Sequence, residues 1–271
     1  MTELEPLALL FERDEAGALE LTGELRRLYG GDLVLPEPCL FANFVATIDG
    51  VVAIPALARS NELIGGGGPA DRFVMGLLRA AADVVVVGRG TVSASPTGRW
   101  RPETVFPPAA EEYRALRGRL GLHREAARVA VVTGRGSLNS EHPVLREGAL
   151  VITTQLGADR LSGRLPAAAE IALVPGVDRV DVTAAVGLLR EHGHRRILSE
   201  AGPRLFASLV AADLVDQLFL TVSPLLAGRV PGDERLGIVE GVALLPEQER
   251  RGSLRSARLH GEHLFLRYSF R

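Results

Sequence analysis

Lysine is absent, so all 31 basic residues are arginine. That excludes a Schiff-base lysine and a phosphate-binding P-loop, both of which need an ε-ammonium. A single cysteine, Cys39, excludes an internal disulfide and a cysteine-ligated zinc site, and fits a reducing, cytoplasmic compartment. No apolar run reaches the length of a membrane-spanning helix, so no membrane association is expected. The stretch from Met1 to Pro6 is acidic and has no basic segment ahead of an apolar core, so it does not look like a signal peptide. There is no basic excess either. The formal net charge is −2, which argues against a nucleic-acid partner. A Gly-x-Ser-x-Gly nucleophile elbow is missing. His192-x-His194 and His260-x-x-His263 lack cysteine partners and metal-ligand spacing, so no metal is expected. His123-Arg124-Glu125 has the His-x-Glu spacing of a zinc deaminase, but no Pro-Cys-x-x-Cys follows it.

What remains is a chain of 271 residues, 46% hydrophobic and 24% charged, which is long enough to bury a core without staples. Residues 1–38 stand apart as an N-terminal arm. Leu21, Leu25 and Leu28 share one helical face, so one or two short helices are expected within 7–28, ended by Gly30-Gly31. From 39 to 271 strands alternate with helices. Strands are expected at 40–47, 84–87, 129–133, 150–153, 171–174, 196–199 and 217–222. Helices are expected at 69–82, 183–192 and 203–212, and a closing hairpin at 253–260 and 264–270 turns around Gly261-Glu262. The wholly apolar run Val84-Val85-Val86-Val87 fits a strand buried on both faces. The fold class is therefore α/β, with a mixed, mostly parallel sheet flanked by helices and an antiparallel C-terminal hairpin. Residues 93–108, rich in Pro, Arg and Ser and carrying the lone Trp100, form the longest irregular stretch and a candidate functional loop.

In an open α/β sheet ligands bind beyond the carboxyl ends of strands. Three of those ends carry glycine turns: Gly88-Arg89-Gly90-Thr91, Thr133-Gly134-Arg135-Gly136 and Glu200-Ala201-Gly202-Pro203, the last opening into a helix. Glycine lets a backbone approach a ligand closely, and a helix N-terminus offers free N–H groups to phosphate. Together they point to a cofactor containing pyrophosphate. Arg135 is placed to hold a 2′-phosphate, favouring NADP over NAD. A standard dinucleotide fingerprint is missing, because Gly88-x-Gly90 continues to Ser93 and the region around Pro96 offers no helix. Asp49-Gly50 ends the first long strand, where the carboxylate serves either the turn or a substrate. Gly65 to Gly68 precede Pro69 as a glycine loop without the lysine of a phosphate loop.

Four ordered stretches give these features a family likeness. They are Ala46-Thr47-Ile48-Asp49-Gly50; Pro69-Ala70-Asp71-Arg72 running on through Leu78-Arg79-Ala80 to Val84-Val85-Val86-Val87-Gly88-Arg89-Gly90-Thr91-Val92; Glu200-Ala201-Gly202-Pro203; and Leu209 through Leu214-Val215-Asp216 to Ser223-Pro224-Leu225-Leu226-Ala227-Gly228. The chain resembles the C-terminal reductase domain of the bifunctional riboflavin-biosynthesis deaminase/reductase and its stand-alone pyrimidine reductase relatives, which have a dihydrofolate-reductase-like fold. The resemblance implies an NADPH-dependent reductase of 5-amino-6-(5-phosphoribosylamino)uracil, acting as a homodimer on a small-molecule substrate. By the same likeness Gly88, Gly90, Thr91, Ala201 and Gly202 would contact the cofactor, with Thr133 and Arg135 near its 2′-phosphate. Thr47, Asp49 and Glu200 would face the substrate, Asp49 and Glu200 as candidates for proton relay or anchoring, and Gly68 and Arg72 would lie nearer its phosphate.

The chain departs from the family pattern at Asn43, where many members have lysine, and at Ala201, where the usual Glu-Gly-Gly has its first glycine. The Cβ of Ala201 disfavours a positive φ there. Two alternatives stay open: a dihydrofolate or other pterin or pyrimidine reductase of the same fold, and a protein that binds NADPH without turnover.

Overall fold

A computed structural model describes residues 4–13, 16–122 and 126–270. Its strands are β1 (Ala8–Glu12), β2 (Ala18–Leu19), β3 (Leu33–Val34), β4 (Cys39–Ala46), β5 (Val84–Gly88), β6 (Arg128–Thr133), β7 (Leu150–Thr153), β8 (Glu170–Leu173), β9 (Arg196–Ser199), β10 (Gln217–Val222), β11 (Ser253–His260) and β12 (His263–Ser269). Its helices are α1 (Gly23–Tyr29), α2 (Ser60–Ile64), α3 (Pro69–Ala81), α4 (Arg89–Ala94), α5 (Pro102–Val105), α6 (Ala110–Arg119), α7 (Pro143–Arg146), α8 (Gln155–Leu161), α9 (Val182–Glu191) and α10 (Pro203–Ala211). Among the described residues, ten strands form one sheet in the order β1-β11-β12-β10-β4-β9-β5-β6-β7-β8. From β10 to β8 every pairing is parallel. From β10 outward to β12, β11 and β1 every pairing is antiparallel. This is the mixed α/β sheet with a closing hairpin that the sequence pattern implied.

The central strands divide their side chains between two cores. Val85 and Val87 of β5 join Phe41, Phe73, Leu77 and Tyr113 on the face covered by α3 and α6. Val84 and Val86 join Ala42, Phe44, Leu189 and Phe206 on the face covered by α9 and α10. Strand alternation makes both halves of the Val84–Val87 run necessary, which is why the run has no polar member.

Helix α3 carries much of the site. Pro69 sits at its start, where its missing N–H costs nothing. Its C-terminal carbonyls are held by Arg117 of α6. That buried guanidinium donates to the Arg79, Ala80 and Ala82 carbonyls at 3.4, 3.2 and 2.8 Å. A cation at a helix C-terminus also meets the negative end of the helix dipole.

The N-terminal arm differs from the helical expectation. Residues 8–12 form an edge strand paired antiparallel to β11, and only 23–29 are helical. The cause is tertiary. Arg258 of β11 is buried and donates to Tyr29 O at 2.8 Å and to Glu12 Oε1 at 3.1 Å, with its guanidinium 4.1 Å from the Tyr29 ring. The open edge of the hairpin thus offers the arm a ladder that a short isolated helix cannot match. A second difference follows β5, where α4 begins at Arg89 although no helix was expected; it ends at Ala94, just before Pro96.

Candidate active site

A cavity of about 1110 Å³ lies over the carboxyl ends of β4, β9, β5 and β6. It runs from Asn43, Phe44 and Val45 at one end to Thr133, Gly134 and Arg135 at the other. Three strand spacings separate β4 from β6, roughly 14 Å. The cavity is therefore long enough for an extended ligand laid across strand ends.

Its β9-to-β6 half is built from the three glycine-bearing turns. Gly88, Gly90, Thr91, Thr133, Arg135, Ala201 and Gly202 all line it. Gly90 faces open space, and a Cβ on Gly202 would stand 3.5 Å from Thr91 Oγ1. The turns after β5 and β9 therefore face each other closely. Gly202 caps α10 without a side-chain hydrogen bond, so the first-turn N–H groups of that helix have no side-chain acceptor. Ala201 does not have a positive φ, so the departure from Glu-Gly-Gly causes no backbone strain. Its buried methyl group fits the turn as it stands.

Two glycines of the turn after β6 have another cause. A methyl group on Gly134 would overlap the Asp178 carbonyl, and one on Gly136, whose φ is +65°, would overlap Gly157. These positions are glycine because neighbouring loops press on them, whatever lies in the cavity. Arginines 89, 135, 179 and 204 ring this half. Arg135 Nη2 donates to Asp178 Oδ2 at 2.6 Å and holds that carboxyl below its usual range, and Arg204 pairs with Glu234.

In the middle stands Glu200. Arg79 Nε and Nη2 donate to Glu200 Oε1 and Oε2, both at 2.7 Å, in a two-pronged pair whose side chains are 10% and 9% exposed. Asp71, Met75 and Arg79 line the same wall. They fall at i, i+4 and i+8 on one face of α3. Burial pushes the Asp71 carboxyl up, outweighing a hydrogen bond from Thr221 that draws it down. Apolar side chains line the cavity as well: Val52, Ile54 and Leu57 from the segment after β4, and Trp100 from the 93–108 segment.

Among the expected substrate-side residues, Thr47, Asp49, Gly68 and Arg72 are not part of the cavity lining. Thr47 Oγ1 donates to Asp49 Oδ1 at 2.6 Å. Asp49 also accepts from Ala227 N at 3.0 Å and Gly228 N at 2.8 Å, tying the end of β4 to the loop after β10. These bonds, the Thr47 hydroxyl first, hold its carboxyl down at about 2, so it is a carboxylate and not a proton donor near neutral pH. Gly68 precedes α3, and Arg72 Nη2 donates back to Gly67 O at 3.3 Å.

Sequence inspection missed Arg79 and Asp71 as site groups. Their signal was a charged pair at i and i+8 on an otherwise apolar helical stripe. His123-Arg124-Glu125 lies outside the described residues. Among those described, no cluster of three His, Cys, Asp or Glu is placed to hold a metal ion. No helix among them is long and apolar enough to cross a membrane.

Three comparisons bear on this site. Residues 38–242 match the family model of the RibD C-terminal domain. The 2,5-diamino-6-ribosylamino-4(3H)-pyrimidinone 5′-phosphate reductase of Archaeoglobus fulgidus is 28% identical over 194 residues, covering 71% of this chain and 83% of that protein. Among solved structures, a pyrimidine reductase-like protein of Corynebacterium diphtheriae superposes with a TM-score of 0.68 at 20% identity, covering 92% of this chain and 98% of the other. The riboflavin biosynthesis reductase Rib7 of Saccharomyces cerevisiae gives 0.59 at 13% identity, covering 86% and 90%. At those identities the two structures speak to the fold.

Proposed function

The chain belongs to the RibD C-terminal domain family, and from that premise we propose that it is an NADPH-dependent reductase of 5-amino-6-(5-phosphoribosylamino)uracil. The observation that carries this is one cavity in which three cradling strand ends meet a buried carboxylate–guanidinium pair. The residues present fit a nicotinamide dinucleotide. Gly88, Gly90 and Thr91 would hold it at β5. Ala201 and Gly202, at the start of α10 where no side chain accepts from the first-turn N–H groups, would take its pyrophosphate. Thr133 and Arg135, with Arg179 on the same rim, would take the adenosine end and its 2′-phosphate. When bound, the cofactor supplies the hydride that reaches the sugar C1.

The chain's own residues align the sugar and manage its proton. In the net reaction the ring C1–O bond breaks, a C–H bond forms at C1, and the freed oxygen takes a proton. Glu200, locked in orientation by Arg79, faces the sugar and holds its polar hydrogens as the ring opens. The apolar walls exclude water from C1. Thr47, Asp49, Gly68 and Arg72 act from outside the lining, Asp49 by fixing the 223–228 loop and Arg72 by bracing the glycine loop before α3. A homodimer is part of the same proposal, and light scattering that gives a monomer mass would overturn that part.

The test is NADPH oxidation by purified protein offered the ribosylaminouracil phosphate, with dihydrofolate in parallel and NADPH binding titrated beforehand. Turnover of the uracil compound without turnover of dihydrofolate is expected. Tight NADPH binding with no turnover of either would refute the substrate while leaving the cofactor site standing. The 2-amino ring named for the Archaeoglobus relative belongs in the same series.

A further inference from the structure

Asp71 has no part in the reduction as described, yet it sits on the cavity wall. It is 8% exposed. Eight residues of α3 separate it from Arg79, a rise of roughly 12 Å. Arg79 marks the Glu200 end, where the cofactor turns gather. Asp71 therefore marks the opposite end, under β4 and β10, where Thr221 donates to it. With its sugar at Glu200, a ribosylaminopyrimidine laid along α3 would turn its ring toward Asp71.

The charged groups around Asp71 come from two other elements and its own. They are Arg72 and Arg79 on α3, Glu200 after β9 and His263 on β12. Each of them is engaged elsewhere. Arg79 turns Nε and Nη2 toward Glu200. Arg72 Nη2 donates to Gly67 O. His263 Nε2 lies 3.1 Å from Gly65 O and must carry the hydrogen, because a carbonyl only accepts. Asp71 is thus a buried carboxyl at a cavity wall whose side-chain hydrogen bond comes from Thr221, while Arg72 and His263 act on it through charge. Such a group is best accommodated as the neutral acid.

We propose that Asp71 is the specificity-determining residue for the substrate ring: as a carboxylic acid it accepts the ring N3–H and donates to the C2 carbonyl, selecting the 2-oxo ring of uracil over the 2-amino ring. This rests on the function proposed above. The 2-amino ring presents two donors at that edge, and the acid's own hydrogen would meet one of them. An ionised carboxylate would reverse the preference, since it accepts from both. Burial, reinforced by the Glu200 charge, favours the acid; Thr221, His263 and Arg72 oppose it.

The experiment compares kcat/KM for the two ring types, each as its ribosylamino 5′-phosphate, across the pH range in which the chain stays folded. The wild-type chain and two variants are used, with NADPH affinity titrated for each. In the wild type, the uracil preference should fall as pH rises through the Asp71 pKa. Asp71→Asn keeps one donor and one acceptor, so it should hold uracil turnover within about threefold and make the ring preference independent of pH. Asp71→Leu should raise KM for the uracil compound by about tenfold or more, with kcat little changed, because the lost contact binds substrate and transition state alike. NADPH affinity should stay at the wild-type value in both variants. A purely structural Asp71 would lower the melting temperature and leave the ring ratio alone, which would overturn the assignment. So would loss of uracil turnover in Asp71→Asn, which also carries the test if Asp71→Leu does not fold. A wild-type chain that turns over neither ring would overturn the proposed function itself, and this assignment with it.

Discussion

Replacing Arg79 by methionine strips the guanidinium from a carboxylate that has little water to turn to. The two side chains are 10% and 9% exposed and share two bonds of 2.7 Å. Breaking such a pair from one side costs about 3–5 kcal/mol, because the surviving charge stays buried without its partner. At about 2–4 °C per kcal/mol for a chain approaching this size, the melting temperature should drop by roughly 10 °C. Glu200→Gln should cost a comparable amount for the mirror-image reason. The double variant Arg79→Met/Glu200→Gln removes both charges together, so its loss should fall short of the sum of the singles by about 3 kcal/mol. Activity should behave differently. The double variant lacks the carboxylate that faces the sugar, so its turnover should stay as low as that of Glu200→Gln, even where stability is partly restored. Urea and thermal unfolding of the four proteins, with NADPH titration as a check on the cofactor half, give both quantities. An Arg79→Met chain that melts within about 2 °C of wild type would refute the reasoning, since no buried charge would then have been left exposed to its own desolvation. Strict additivity in the double variant would refute it equally.

Three further outcomes follow from other contacts. Asp49 is held down at about 2 in the folded chain. The stability it contributes is therefore present above its ordinary value of 3.8 and is withdrawn as pH falls toward 2. Asp49→Asn should flatten the acid limb of a melting-temperature profile across that window, and an unchanged limb would sink the loop-tying role. Gly134→Ala should destabilise by about 1–3 kcal/mol in unfolding titrations, because its methyl overlaps the Asp178 carbonyl; full stability would show that the loop gives way freely. Arg135→Ala should raise KM for NADPH by about tenfold with little change for NADH, as expected from loss of one charge-assisted phosphate contact. Retention of the whole NADPH preference would remove Arg135 from the 2′-phosphate site.

The parts of this molecule that the sequence made legible are those fixed by local periodicity. The Val84–Val87 run has no polar member, and only a strand covered on both faces makes sense of it. Helix α3 was legible because Pro69 marks its start and Phe73, Leu77, Leu78 and Ala81 share a face. What escaped was settled by partners distant in the chain. Residues 8–12 have no alternation of their own. They become a strand because β11 offers an edge and Arg258 reaches Glu12 across 246 positions. Asp49 was visible beside Gly50, but the groups that fix it, Ala227 and Gly228, stand 178 and 179 residues on.

Glycine shows the same limit more sharply. It marks a close approach without saying of what. The turns after β5 and β9 leave their glycines facing a cavity and each other, whereas Gly134 and Gly136 are pressed by the 176–179 segment and by Gly157. One sequence signature thus has two causes in adjacent strands. The charged members of α3 were readable in principle. Asp71 and Arg79 interrupt an apolar stripe at i and i+8, and a buried charge is retained only where something opposes it. For Arg79 that something is Glu200, 121 residues away. For Asp71 the protein offers one hydroxyl, while His263 and Arg72 act on it through charge and direct hydrogen bonds at backbone carbonyls. It is this imbalance on one helical face, rather than either residue type, that divides the cavity wall into an ionic end and a neutral hydrogen-bonding end.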